Sequence, residues 1–419
     1  MKKGNFNKFM LLWTGEFISS IGGGLTSFGL GVYVFNETGS AASMALVTLL
    51  GFLPTLRVSV PAGVLADRYD RRLLMMIGDG CSALGILYIL ICMIRGGASL
   101  PQICIGVFVS SVFSALLEPS YRATITDLLT KEEFSRANGL VSLAGSARYL
   151  FSPVIAGFLL SVSDVKLLLV IDICTFFLTV ISTAVVRHGL IFGVTEDNTP
   201  FIESVREGWS ILRAKKGVLI LVFVSSLIAL FMGMFQILAE PLILSFSDAG
   251  TLGVAETICA SGMLFSGVLL GIRGIKGHYA GILGTSLMLS GIFMLGFGLF
   301  ENVIPICIFG FLFFAMLPFA NNCLDYLART NIPADAQGRA WGMVGFISQL
   351  GYVVAYAISG KLADMLGLIN GRGVGRGSAQ VIMISGACLT VIASTLFFPE
   401  SIRKLEKDPQ INNTRYINT

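Results

Sequence analysis

The sequence predicts an all-α polytopic membrane protein, with twelve transmembrane helices arranged as two six-helix bundles. Three observations carry that expectation. Apolar residues make up 54% of the 419 and the mean hydropathy is +0.81, while only 13% are charged, about half the roughly 25% usual for soluble domains. Apolar runs long enough to cross a bilayer, roughly 20 residues each, recur twelve times. The basic residues gather in alternate connections. Together these exclude a soluble enzyme and a disordered chain. A net charge of +4 from 29 basic and 25 acidic residues is too balanced for a phosphate-binding surface, so no nucleic-acid partner is expected.

The first six runs lie at about 9–35, 41–66, 72–94, 100–126, 138–162 and 165–187. With the N-terminal tail they define a bundle over 1–187. The first run follows Met1-Lys2-Lys3, is too long for a signal peptide and has no cleavage site, so it is expected to be retained. A polar stretch at 188–216 reads as a linker. In it Ile202, Val205, Trp209 and Leu212 fall at helical spacing, as expected of an amphipathic helix on the membrane face. Runs at about 217–246, 250–273, 279–300, 303–328, 340–365 and 378–398 make the second bundle, 217–398, and a polar tail covers 399–419.

Charge fixes the expected orientation. With both termini in the cytoplasm, 21 of the 29 lysines and arginines fall on the inner side, 5 on the outer, and Arg57, Arg122 and Arg148 lie within runs. Cytoplasmic connections carry the excess of Lys and Arg, so a multi-pass protein of the plasma membrane is expected. A faint repeat agrees with two halves: Arg136-Ala-Asn-Gly139 and Arg339-Ala-Trp-Gly342 are offset by 203 residues, as are Gly157 and Gly360. The cysteines, all in apolar runs and without paired spacing, read as packing residues, and neither His188 nor His278 has metal-ligand spacing. Neither a Walker A pattern nor a Gly-x-Ser-x-Gly elbow is present. A non-enzyme without cofactor or metal is expected.

The most specific segment is the connection after run 2, Gly63-Val-Leu-Ala-Asp67-Arg68-Tyr-Asp70-Arg71-Arg72. Gly63 would allow close helix approach. Asp67 could face the positive end of a helix, and Arg71 could pair with it or with another carboxylate. Such a latch, with Asp127 as a further member, would hold one conformation shut. The segment resembles the signature loop of the major facilitator superfamily, Gly-x-x-x-Asp-Arg-x-x-Arg-Arg/Lys, with Asp70 where glycine is usual. The count of runs, the linker and the repeat agree with that resemblance.

A narrower resemblance rests on Gly51-Phe-Leu-Pro54, the Asp67–Arg72 segment, Ser152-Pro153 with Ile171-Asp172, Phe201-Ile with Glu207-Gly and Leu212-Arg, and Ala260-Ser-Gly-Met263. These are similar to macrolide-efflux transporters of a drug–proton antiporter branch. The resemblance implies export of amphipathic small molecules in exchange for protons, by a monomer in the lipid bilayer. An importer or proton symporter of a small metabolite is the alternative. Run 5 reads Ser152-Pro153-Val-Ile-Ala156-Gly157 where the family's antiporters carry Gly-Pro-x-x-Gly-Gly, and Arg148 stands at an earlier glycine.

Ten charges lie inside runs: Glu16, Arg57, Asp79, Glu118, Arg122, Arg148, Asp172, Glu240, Glu256 and Asp325. Each costs about 2.5–3.5 kcal/mol near a bilayer centre unless paired or solvated. Asp79, Arg122 and Asp325, near inner ends, are expected in gate salt bridges with Asp67, Arg71 and Asp127. Asp172 and Glu256 are expected in an outer structural role. Glu16, Arg57, Glu118 and Arg148 are deeper, in runs that the resemblance makes cavity-lining or gating helices. Glu118 and Arg122 can pair along one helix face. The proton-coupling candidates are Glu16, Glu118 and Glu240, with Arg57 or Arg148 as partner. Gln236, Asn321, Asn322 and Gln349 read either as cavity hydrogen-bonders or as links between helices. Gly22-Gly23-Gly24 reads as a flexible gate or a packing site.

Overall fold

The computed structural model describes residues 5–130, 133–187, 209–210, 213, 216–332, 337–395 and 405–406. Among them are thirteen helices that supply twelve apolar membrane spans. The first seven are α1 (Phe6–Thr38), α2 (Ala41–Arg68), α3 (Arg71–Ile94), α4 (Leu100–Ser114), α5 (Leu117–Leu128), α6 (Phe134–Val162) and α7 (Val165–Arg187). The remaining six are α8 (Lys216–Leu244), α9 (Ala249–Arg273), α10 (Tyr279–Leu299), α11 (Val303–Arg329), α12 (Gln337–Ile369) and α13 (Gly373–Thr395). The expected amphipathic linker helix lies outside the described residues except for Trp209, Ser210 and Arg213, and the tail does so except for Leu405 and Glu406.

The fourth span, Leu100–Leu128, is two helices rather than one. Pro119 explains the break. It has no N–H to return to the Ala115 carbonyl, and the chain tightens there instead, with Leu116 N–H donating to Phe113 O at 3.0 Å.

The chain forms two compact units, Met1–Asp197 with Ser247–Thr257, and Asn198–Phe246 with Ile258–Thr419. Within each, the packing order repeats. In the first, α1 lies against α6 and α7, and α3 against α4 and α7. In the second, α8 lies against α12 and α13, and α10 against α11 and α13. The faint sequence repeat thus has a counterpart in how the helices pair.

Small residues set the approach of these helices. Gly15, Gly22 and Gly29 repeat every seven residues along α1 and share one face. A Cβ on them would meet Ser182 and Thr179, then Thr175 and Asp172, then Leu168 and Val165, all of α7. Gly24 looks another way, onto Ser152 and Arg148 of α6, and Gly23 meets nothing within 4 Å. The glycine triplet is therefore a packing site for two neighbours at once. Gly85 of α3 and Gly106 of α4 oppose each other, each against the other's backbone carbonyl. Within the first unit, Gly253 at the start of α9 lies against the Pro153 carbonyl of α6, and Thr257 Oγ1 donates to Leu150 O at 3.0 Å.

The two cores differ in chemistry. Phe235 of α8 centres the second, with Phe297, Phe313 and Phe314 at ring separations of 4.5, 4.6 and 5.5 Å. Burying such rings contributes both area and favourable ring geometry. The first unit buries two carboxylates, Asp79 and Asp172, each 1% exposed.

Helix ends are capped by carboxylates in both units. The Asp70 side chain accepts from Arg72 N–H at the start of α3, and Glu406 accepts from Tyr279 and Ala280 N–H at the start of α10. Each satisfies orphan donors and complements the helix dipole. Asp248 does the same for α9, and the Thr251 amide holds its carboxyl below the usual carboxylate range.

Candidate functional site: an ion-paired latch and buried acids

The segment after α2 is built around Asp127, one residue before the end of α5. Arg71 Nη1 donates to Asp127 Oδ1 at 2.7 Å, and Arg72 Nη2 stands 3.6 Å from Oδ2. Arg71 also donates from Nε to Ala66 O (3.0 Å) and from Nη1 to Ala123 O (3.3 Å). One guanidinium thus binds the end of α2, the body of α5 and a carboxylate, which only a planar fork of donors can do. Arg72 is 4% exposed and its Nε has no hydrogen-bond partner. Arg71 and Asp127, which the sequence linked, are ion-paired here.

Two details depart from the expectation, at Gly63 and at Asp70. Gly63 has open space, since a Cβ there would meet nothing within 4 Å among the described residues. It therefore does not serve close helix approach. The Asp67 side chain lies outside the described residues, and Arg68 is exposed. Asp70, read only as a departure from a pattern, pairs with Arg187 Nε of α7 at 2.7 Å while capping α3. These ion pairs therefore tie α3 both to α5 and to α7.

The intramembrane charges sort differently from their expected depths. Glu118 and Arg122 pair at 2.9 Å one turn apart, as expected, but their side chains are 74% and 66% exposed. Protein does not bury that pair. Arg57 and Arg148 are exposed too. Arg148 lies within electrostatic reach of Asp172, not paired with Glu118 or Glu16. Glu16 is half-buried with Oε1 sealed from solvent and without a hydrogen bond. Asp79 is not a gate salt bridge: it is 1% exposed and its Oδ2 is unpartnered. Both Glu16 and Asp172 lie within electrostatic reach of Asp79.

In the second unit Glu240 is half-buried, next to Pro241. Gln236 accepts from Tyr356 OH at 3.1 Å, which links α8 to α12. Asn321, Asn322 and Gln349 are exposed. Among the described residues no group of three His, Cys, Asp or Glu side chains could hold a metal ion.

A family model, the Major Facilitator Superfamily, matches residues 12–356. The chain belongs to this superfamily. It is a transporter, not an enzyme, and a multi-pass membrane protein. Macrolide efflux protein A of Streptococcus pyogenes is 28% identical over 412 residues, covering 95% of this chain and 97% of that one. Macrolide efflux protein A of Enterococcus faecalis is 29% identical over 325 residues, covering 74% and 98%. Among solved structures, a bacterial homologue of the human lysosomal transporter Spinster, inward-facing and unoccupied, superposes with a TM-score of 0.73 at 14% identity, covering 98% and 99%. That last likeness concerns the fold.

In this major facilitator the altered run-5 segment keeps a packing role. Ser152, where the antiporter pattern has glycine, is 1% exposed and donates to Ile21 O of α1 at 3.0 Å, opposite Gly24. A hydroxyl that bonds the neighbouring backbone substitutes for the absent side chain as a means of close approach. Of the residues that sequence reasoning missed as site members, Asp70 had a signal in Arg187, a cation at the end of another apolar run.

Proposed function

We propose that this chain exports amphipathic small molecules, macrolide-like compounds among them, across the plasma membrane in exchange for protons by alternating access. The observation that carries the proposal is the likeness to macrolide efflux proteins along nearly the whole of both chains. Both termini would lie in the cytoplasm, which places the Arg71–Asp127 latch on the cytoplasmic face, where it would hold one state closed. The protein would act as a monomer.

The proton-coupling residues would come from Glu16, Glu118 and Glu240. Glu16 is favoured, because its buried unpartnered oxygen is costly as an anion. Glu118, exposed and ion-paired, is better suited to meeting substrate or water. Arg57, Arg148, Gln236, Asn321, Asn322 and Gln349 would line the substrate cavity, and Gly63, Asp67, Arg68, Arg71, Arg72 and Asp127 would make the latch region. Cells expressing the protein should accumulate less radiolabelled macrolide than cells expressing Asp127→Ala, and an uncoupler should remove the difference. Equal accumulation with and without the protein, for macrolides and cationic dyes alike, would count against the proposal.

A further inference from the structure

The first turn of α10 has no cap of its own. From Thr257 to Phe300 the chain carries neither Asp nor Glu, and the connection before α10, Gly274-Ile-Lys276-Gly-His278, holds none of the Ser, Thr, Asn or Asp residues that usually cap a helix. His278, at the cap position, has a left-handed backbone with φ 56°, alone among the described non-glycine residues, and its side chain makes no cap bond. The donors of that turn are met from 127 residues away. Tyr279 N–H donates to Glu406 Oε1 at 3.0 Å, and Ala280 N–H to Oε2 at 3.3 Å.

The same segment is held a second time at α11. Asn331, just past the end of that helix and 1% exposed, donates from Nδ2 to Leu405 O at 2.9 Å and to Leu327 O at 3.0 Å. Leu405 is itself buried. Two consecutive residues thus join the start of α10 to the end of α11. These helix ends also meet directly, where Tyr279 stacks on Tyr326 with ring centroids 3.7 Å apart and planes 10° from parallel. Cys323, about one turn before Tyr326, is 0% exposed. The first unit caps the corresponding helix differently: Asp70 adjoins α3 in sequence and cannot leave it. A cap carried by a distant segment can leave while the connection stays whole. Arg273 and Lys276 in that connection, with the positive end of the helix, favour an acidic residue as its occupant.

We propose that Leu405 and Glu406 form a releasable strap on the second unit. Docked, it supplies the missing cap and ties α10 to α11. Released, it leaves the first amides of α10 without an acceptor, frays that turn and lets the two helix ends part. A contact made through two residues can form and break without unfolding the bundle. The strap is a control on the transporter's motion and holds whatever the transporter carries.

The test uses the full-length protein in nanodiscs and two readouts that need no substrate. One is hydrogen–deuterium exchange at the start of α10, the other alkylation of Cys323 by N-ethylmaleimide, both resolved by peptide mass spectrometry. In wild type both should be slow. Glu406→Ala should speed exchange at Tyr279 and Ala280 by about tenfold or more, as expected for the loss of a hydrogen bond to a charged group, and should raise Cys323 alkylation in step. Asn331→Ala leaves Glu406 intact and should do the same, because the segment loses its other hold. Glu406→Gln, which keeps the length of the side chain, should give a smaller change of the same sign, and it supplies the comparison if Asn331→Ala does not fold. Unchanged exchange in Glu406→Ala overturns the cap. Faster exchange there with Asn331→Ala like wild type reduces Glu406 to a local cap and overturns the strap, as does Cys323 alkylation that is equal in all folded variants. Failed export beside the expected exchange and alkylation counts against the exporter reading alone.

Discussion

Asp127→Ala should lower the stability of the first unit by about 2–3 kcal/mol and abolish most transport. Removing one partner of a buried pair costs about 3–5 kcal/mol, because the other charge is left uncompensated. Arg72 meets that condition at 4% exposure, but Asp127 is 35% exposed, so the cost falls below the buried limit. Two guanidiniums lose their carboxylate together. Arg187→Ala is the informative comparison. That pair is more exposed, with Arg187 at 43%, and exposed pairs contribute about 0–1 kcal/mol. Thermal unfolding in detergent, with transport assayed on the same preparations, should rank Asp127→Ala well above Arg187→Ala. Equal effects would mean that the two ion pairs have the same weight and that Asp127 is not the centre of this ion-paired region.

Gly85→Val should be at least as damaging, by about 3 kcal/mol or more. Overpacking a core typically costs about 1–3 kcal/mol, because side chains shift to make room. Here nothing can shift cheaply. A Cβ on Gly85 would strike the Gly106 carbonyl and stand 2.7 Å from the Ser110 backbone nitrogen. Both are backbone atoms of α4, so the helices must separate. Gly23→Ala is the internal control. A Cβ there meets nothing within 4 Å, and replacing a mid-helix glycine by alanine gains about 0.5–1 kcal/mol. The expected outcome is a large loss of folded protein for Gly85→Val and unchanged or higher stability for Gly23→Ala, read by thermal unfolding. If the two behave alike, the crossing of α3 and α4 is looser than its backbone contacts imply.

The architecture was legible because a bilayer imposes a length and a polarity on every span, and twelve runs met both. The break in span 4 was less legible. Pro119 interrupts the hydrogen-bond ladder of that span, but whether a helix bends or splits at a proline depends on how the Ala115 carbonyl is relieved. The ion pairs of the loop after α2 were half legible: Arg71, Arg72 and Asp127 could be linked because their charges have few places to go at span ends. Asp70 was read against a pattern instead of as a partner for Arg187. The burial of Asp79 was not legible: depth along its run suggested a salt bridge at the helix end, since sequence distance does not tell which face of α3 turns inward. The glycines of α1 were read only at Gly22–Gly24, and the seven-residue repeat that turns Gly15, Gly22 and Gly29 to α7 emerged from the structure.

The central claim is that a proton gradient drives amphipathic molecules out of the cell through this chain. Inverted membrane vesicles containing the protein, given an imposed pH gradient acid inside, test it most directly. The account predicts uptake of a labelled macrolide that follows the gradient, collapses with an uncoupler and is lost in Glu16→Gln. Uptake that is the same with and without the gradient, across macrolides and cationic dyes, would contradict it.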